Sequence, residues 1–334
     1  MERYLLCCDW GTTSFRLRLV NRENQTVIGE VLSQNGIGNT FNHWKEIENN
    51  GISRETFFRQ ELKQHIDLLA EKVALNLDGI PMVLSGMASS SLGIQEIAYA
   101  TLPFSLDGKH TMMRHFEQGE DFPHDILLLS GVCSNHDVMR GEETELIGLI
   151  GAMDLGDKDA IFIFPGTHSK HMFVRDGRLI DFKTYMTGEV FNLMARHSIL
   201  RDSVELDDAT YFSENARESF ITGIRESGYG DILNTLFTVR TNQLFDLLDK
   251  KQNAMFLSGL LIGAEMRHLT KETGTQLVLC CQNNLFKLYN AAIEALNLSG
   301  RTTIIPAMTV GRAATIGQIK IFEHQNLTLN KTNL

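Results

Sequence analysis

Residues 9–16 read Asp-Trp-Gly-Thr-Thr-Ser-Phe-Arg, a run of side chains that could together handle phosphate. A Gly-Thr turn leaves backbone N–H groups open to approach because glycine has no side chain, and threonine hydroxyls add donors. A concave row of such donors holds phosphate oxygens. Asp9 could serve a hard cation; magnesium takes oxygen ligands and keeps its waters, so one carboxylate plus phosphates suffices. Arg16 could meet a terminal phosphate and neutralise charge during transfer. A single copy of this pattern is more often a plain hairpin, with the aspartate as turn former and the arginines as solvated edge charges.

A second copy reverses that preference. "GTTSFRLRLVN" laid over "GTHSKHMFVRD" puts Gly11 over Gly166, Thr12 over Thr167, Ser14 over Ser169 and Asn21 over Asp176. Both copies share one setting: apolar strand, Gly-Thr turn, strand, tight turn, strand, then helix. In the first copy Phe15, Leu17 and Leu19 alternate with Arg16 and Arg18 at the period of a strand. In the second, Asp176-Gly177 is a hairpin turn signal. The repeat predicts an α/β chain of two related halves of mixed sheet and helix, residues 1–153 and 154–334. Gly11, Thr12 and Thr13 in one half, and Gly166, Thr167 and His168 in the other, become phosphate contacts on turns that face each other across a cleft.

Other elements must carry these turns. Ser53 is a candidate N-cap for a helix with Phe58, Leu62, Ile66, Leu69 and Val73 at helical spacing. "IPMVLSG" and "DILLLSG" read as buried strands, each ending in Ser-Gly. "MRGEETELIGLIGAM" predicts an amphipathic helix through Leu146, Leu149, Ile150 and Met153. Its first turn holds Glu142, Glu143 and Glu145, where the helix dipole favours anions. Glu143 and Glu145 read as dipole partners, whereas Glu142 could accept the proton of an attacking hydroxyl from a rigid platform. The small residues of "SGLLIGAEM" suggest close helix packing. His168 with His171, and Cys133 with His136, are too few for a metal site.

At 334 residues the chain exceeds the size of one core, so two domains are expected. The net charge of −10 argues against a nucleic-acid or anionic-membrane partner. Adjacent cysteines such as Cys7-Cys8 and Cys280-Cys281 point to opposite strand faces and do not suggest a disulfide framework. "MERYLL" lacks the apolar core of a signal peptide and no apolar run approaches a membrane span, so a reducing cytoplasm is the expected setting. A homo-oligomer is left open.

The twin Gly-Thr turns resemble the phosphate signature of the actin, hexokinase and Hsp70 superfamily, whose halves are actin-like, ribonuclease H-like domains with ATP in the cleft between them. "DWGTTSFR" looks like the first phosphate motif of its carbohydrate kinases, in which the Asp serves magnesium and the Arg a phosphate. "GEE" at 141–143 is similar in position to the Gly-Asp-Gln of glycerol and xylulose kinases, whose acid is the catalytic base, and so points to Glu142. Along nearly its whole length the chain resembles the 2-dehydro-3-deoxygalactonokinase family, most specifically in "DVMRGEETELIG", "PGTHSKH", "DFKTYMTGEVFNL" and "FLSGLLIGAEM". The resemblance implies transfer of phosphate from ATP, with Mg2+, to the 6-hydroxyl of 2-dehydro-3-deoxygalactonate, a step before aldol cleavage in galactonate breakdown. It implies that residues 86–103, "GMASSSLGIQEIAYATLP", line the sugar pocket, with Ser89, Ser90, Arg140 and Lys170 (and Lys183) as candidate substrate contacts, and that Gln282 and Asn283 lie at the adenosine. Two departures leave alternatives. Ile94 replaces a usual tryptophan, which admits another sugar or sugar acid; Gln282 replaces a usual glycine, which admits a non-catalytic ATP or sugar binder. The final segment, "AMTVGRAATIGQIKIF", reads as a helix returning to the first domain.

Overall fold

Strand alternation and turn chemistry decide the local elements, and the computed structural model shows where each goes. It describes residues 3–47, 51–152, 159–206, 213–282 and 285–332. Two compact units emerge: residues 1–156 with 177–180 and 311–334, and residues 157–176 with 181–310. The boundary expected after residue 153 falls outside the described residues, as does Met153 itself.

In the first unit, β1 (Tyr4–Trp10), β2 (Phe15–Asn21) and β3 (Thr26–Ser33) form an antiparallel meander. The helices α1 (Ile37–Ile47) and α2 (Arg54–Val73) follow. Ser53 caps α2 by accepting the Thr56 N–H at 3.1 Å. Next come β4 (Met82–Gly86), β5 (Ala100–Thr101), β6 (Phe104–Ser105), β7 (Met113–Phe116), β8 (Ile126–Leu129), β9 (Val132–Cys133), β10 (Val138–Met139) and α3 (Glu142–Ala152). The main sheet has the order β3-β2-β1-β4-β8-β7, with β4 parallel to β1 and β8 parallel to β4. Phe15, Leu17 and Leu19 of β2 share a buried core with Phe58, Leu62, Ile66 and Leu69 of α2, as their spacing predicts. Each such side chain contributes about 1.5–3 kcal/mol by leaving water.

In the second unit β11 (Ala160–Phe164), β12 (Ser169–Arg175), β13 (Arg178–Tyr185) and α4 (Thr187–His197) repeat the opening pattern. The turn between β12 and β13 has φ of 49° at Asp176 and 67° at Gly177, the positive pair a two-residue hairpin requires. Then come α5 (Glu214–Glu226), α6 (Ile232–Leu244), α7 (Lys250–Met266), β14 (Gln276–Leu279), α8 (Phe286–Ala295), β15 (Thr302–Ile304) and α9 (Ala307–Thr332). Here the order runs β13-β12-β11-β14-β15, with β11, β14 and β15 parallel. In both units a third-second-first antiparallel meander continues into two parallel strands, β4 and β8 in the first and β14 and β15 in the second, with β7 added antiparallel to β8 at the edge of the first. This is the expected actin-like, ribonuclease H-like α/β architecture, present twice.

Glycines set the helix contacts. A Cβ on Gly148 of α3 would stand 2.0 Å from the Ala313 carbonyl oxygen of α9, and one on Gly317 would stand 2.0 Å from that of Thr144. From Gly311 onward α9 belongs to the first unit. In the second unit Gly259 and Gly223 bring α7 and α5 equally close, against the Phe220 and Phe256 carbonyl oxygens at 2.0 and 2.2 Å. The small residues of "SGLLIGAEM" therefore form a packing face, as read. We expect Gly148→Ala to lower stability by about 2 kcal/mol or more, because backbone must move. Gly151→Ala, on the exposed side of α3, should instead be neutral or add up to about 1 kcal/mol. Urea denaturation of the two variants checks the contrast.

Candidate active site

Strand register brings the first set of residues together. β1 ends at Asp9-Trp10, with Asp9 paired across to Arg16 on β2 and alongside Ser85 on β4. Trp10 is fully buried, edge-on to Phe15 at 5.1 Å, and its indole N–H donates to the Asn35 carbonyl oxygen at 3.2 Å. The turn that follows is closed by the Gly11 N–H donating to the Ser14 carbonyl oxygen at 2.9 Å. The start of α1 clamps it: Ile37 N–H donates to the Gly11 carbonyl oxygen at 2.9 Å and Gly38 N–H to that of Thr12 at 3.1 Å. A Cβ on Gly36 would stand 2.3 Å from the Thr12 carbonyl oxygen, so only glycine permits this approach. Thr12 and Thr13 remain exposed.

Two further glycines keep the Asp9 carboxyl uncovered. Gly86 ends β4 at φ +85°, where a Cβ would lie 2.7 Å from the Trp10 carbonyl oxygen and 3.2 Å from Asp9 Oδ1. Gly141 has φ +111°, and its Cβ would lie 3.5 Å from Gly86 Cα. α3 then opens with Glu142. Glu143 is buried and not a simple dipole partner: its carboxylate accepts the Gly141 N–H at 2.9 and 3.0 Å and the Thr144 hydroxyl at 3.0 Å, which holds the turn into the helix.

The charges here are concentrated. Burial pushes the Asp9 carboxyl up, the Arg16 guanidinium opposes that shift, and Glu142 adds to it. Glu145 is raised well above the usual carboxylate range by burial, with Asp9 and Glu142 adding to the shift; sequence spacing had marked it only as a dipole partner. Arg16 Nε is buried without a hydrogen-bond partner among the described residues. Arg18, two residues on, is structural: it pairs with Glu30 at 2.6 Å and donates to the Gly311 carbonyl oxygen and Thr315 Oγ1 on α9. Gln318 of α9, which no motif singles out, donates to the Cys8 carbonyl oxygen at 2.6 Å and Ser85 Oγ at 2.9 Å, directly behind Asp9.

The second unit builds its turn in the same way. A Cβ at Gly166 would meet nothing within 4 Å, and Thr167 and His168 are exposed. Glu189 N–H donates to the Thr167 carbonyl oxygen at 3.1 Å, and a Cβ on Gly188 would stand 2.7 Å from the Gly166 carbonyl oxygen. The start of α4 thus clamps this turn as α1 clamps the other. His168 pairs with Glu189.

A cavity of about 650 Å³ reaches Gly166 and Thr167 and is lined further in by Phe191, Lys251, Met255, Leu285 and Lys287. No local pattern marks these residues, because three helices, α4, α7 and α8 with the residue before it, supply them. Gln282 is exposed and not among the lining residues, while Asn283 lies outside the described residues.

The remaining candidates are dispersed. Ser89 is buried and accepts from Arg140 Nη1 at 2.8 Å; Arg140 Nη2 donates to the Ile97 carbonyl oxygen at 3.1 Å, and its guanidinium lies 3.9 Å over the Tyr99 ring. Ser90 Oγ donates to the Met87 carbonyl oxygen at 2.7 Å. Lys170 is buried on β12, and Lys183 is exposed, 5.4 Å over the Phe173 ring. Ile94 is 3% exposed and packs in the core of the first unit. Among the described residues no group of three metal-ligating side chains occurs, and no helix is long and apolar enough to cross a membrane.

Glu143 also gives the site a pH signature. Burial pushes its carboxyl up to about 8, with Glu142 adding to the shift. The folded protein then keeps a proton that the unfolded chain releases near 4.5, so this group's contribution to stability is greatest at low pH and is lost as pH rises toward 8. Glu143→Gln removes that titration. Relative to the parent it should gain on the order of 2 kcal/mol between pH 5 and pH 8, read from urea denaturation across the range.

Residues 9–314 match the family model described as 2-keto-3-deoxy-galactonokinase. The chain is 31% identical, over 89% of its length and 91% of the relative's, to a probable 2-dehydro-3-deoxygalactonokinase of Rhizobium meliloti (strain 1021). It is 33% identical to the 2-dehydro-3-deoxygalactonokinase of Escherichia coli (strain K12), covering 65% of this chain and 71% of that one. A crystal structure of a candidate 2-dehydro-3-deoxygalactonokinase protein from Sinorhizobium meliloti superposes with a TM-score of 0.74 at 29% identity, covering 94% and 95% of the two chains. With twin clamped turns, an acid-lined strand end and a match from Asp9 to Ala314, this chain belongs to the 2-keto-3-deoxy-galactonokinase family of sugar-acid kinases.

Proposed function

We propose that the protein transfers the terminal phosphoryl group of ATP to the 6-hydroxyl of 2-dehydro-3-deoxy-D-galactonate, with Mg2+, through Asp9, Arg16 and Glu142. The observation that carries this reading is the convergence of three element ends. The end of β1 supplies Asp9, the neighbouring strand Arg16 and the first turn of α3 Glu142, with glycines at 86 and 141 leaving the Asp9 carboxyl uncovered.

Each residue has a distinct task. In the turns opened by Gly11 and Gly166, whose own N–H groups are held by Ser14 and Ser169, Thr12 and Thr13 present donors to phosphate oxygens, and Thr167 and His168 do so beside the cavity that would take the adenosine. Arg16 is a half-buried cation whose Nε is buried and unused among the described residues, suited to the charge of a phosphoryl group in flight. Glu142 accepts the proton of the attacking hydroxyl; in a loose transition state its main work is to aim that oxygen. The acids around Asp9 fit a divalent cation, because their mutual repulsion is relieved by positive charge. Asp9 would hold Mg2+ through water, and the ion would neutralise charge on the phosphates.

The sugar acid binds beside residues 89–99, with Arg140 held rigid by Ser89, Ile97 and Tyr99. Ile94 as a core residue supports the family substrate over a reshaped pocket. Intact Asp9, Arg16 and Glu142 support an enzyme over a sensor.

ADP release from Mg-ATP, with and without 2-dehydro-3-deoxygalactonate, tests the reading. Saturable, sugar-dependent release is expected, and its absence in a protein that binds ATP would point to another acceptor. Glu142→Ala should lower kcat by about 10²–10⁴-fold, and Asp9→Asn should abolish the magnesium-dependent rate. Full turnover in either variant overturns that residue's role.

A further inference from the structure

Glu265, at the end of α7, is 3% exposed and lies beneath the second Gly-Thr turn. Its Oε1 accepts from His171 Nε2 at 3.0 Å, and its Oε2 accepts from the Tyr289 hydroxyl at 2.8 Å and from the Thr187 hydroxyl. A carboxylate only accepts, so it orients every hydrogen around it. Tyr289, having donated to Glu265, receives the Ser169 hydroxyl at 2.8 Å, and Ser169 Oγ in turn receives the Gly166 N–H at 3.3 Å. The hydrogens run in one direction, from the turn down to the carboxylate.

Thr187 gives the same carboxylate a hold on the other side of the turn. It is the first residue of α4, and its neighbours Gly188 and Glu189 are the clamp on the Gly166 and Thr167 carbonyl oxygens. His171 is itself fixed, its ring 4.7 Å from Tyr185 and 5.1 Å from His268. His268 is backed by the Glu265 carbonyl oxygen at 2.9 Å and the Tyr185 hydroxyl at 3.2 Å. "PGTHSKH" and "DFKTYMTGEVFNL" lie near each other in the sequence and "FLSGLLIGAEM" far beyond them, and one buried carboxylate joins all three.

We infer that Glu265 is a positioning residue for nucleotide phosphate: it fixes the Gly166–His168 turn from below through Ser169 and from the side through Thr187. The inference rests on the reading that this turn binds ATP phosphates. Loss of the carboxylate leaves the apolar cavity in place but frees the turn, so the cost falls on phosphate and not on the nucleoside.

Binding of ADP and of adenosine to the full chain, measured by calorimetry, separates these. Glu265→Gln puts a donor amide where only acceptors fit, and Ser169→Ala cuts the link to the turn. In either variant, checked as folded by circular dichroism, ADP affinity should fall about tenfold or more. Adenosine affinity should hold, and KM for ATP should rise with KM for the sugar acid unchanged. Unchanged ADP affinity, or equal losses for ADP and adenosine, overturns the inference. If Glu265→Gln does not fold, Ser169→Ala decides by the same criterion. A parent protein that binds no ADP would instead sink the proposed function.

Discussion

A row of backbone N–H groups grips an anion only if the chain that bears it cannot fold over its own donors. Both units meet that constraint with one device. The carbonyl oxygen of the turn threonine, Thr12 or Thr167, is taken by an N–H at the start of the helix that follows the meander. The glycine N–H of each turn is also tied, to the Ser14 carbonyl oxygen or to Ser169 Oγ, while the two residues that follow it stay exposed. The approach is so close that glycine is required at 36 and at 188. The rest of each unit serves this contact: the meander delivers the turn, and the helix returns to lock it.

Behind the turns the two units diverge in chemistry. The first gathers charge, with Asp9, Glu142, Glu143 and Glu145 around Arg16, and burial raises the carboxyls of Asp9, Glu143 and Glu145 above their ordinary range. Such a cluster of buried acids is costly by itself, and the proposed function gives it a cation to offset that cost. The second gathers hydrogen bonds on Glu265 and leaves an apolar cavity beside its turn. In the proposed function the first half serves the reacting groups and the second holds the nucleoside, a division between two copies of one structural pattern.

The arginines show how little separates the side chain proposed to meet phosphate from a structural one. Arg16 and Arg18 sit on the same strand face, two residues apart, and the sequence treats them alike. Arg18 meets Glu30 and α9, and its donors are spent. Arg16 lies at the strand end beside Asp9 with a buried Nε unused. Likewise Ile94, which stood out as a departure from the family pattern, turns out to be a core residue.

Much was legible in the sequence because it is local. Strand alternation, the Asp176-Gly177 turn, the Ser53 cap and the repeated Gly-Thr setting each depend on residues near one another in the chain, and together they specify two copies of one α/β pattern. The positions of Asp9, Arg16 and Glu142 follow from strand register and a helix start, so they too could be read. Gln318, Glu265 and the cavity lining could not. Each acts on residues scores or hundreds of positions away, through contacts that exist only once helices have packed at glycine distance. Periodicity tells which face of a helix is buried, but only tertiary packing decides which carbonyl or hydroxyl that face will meet.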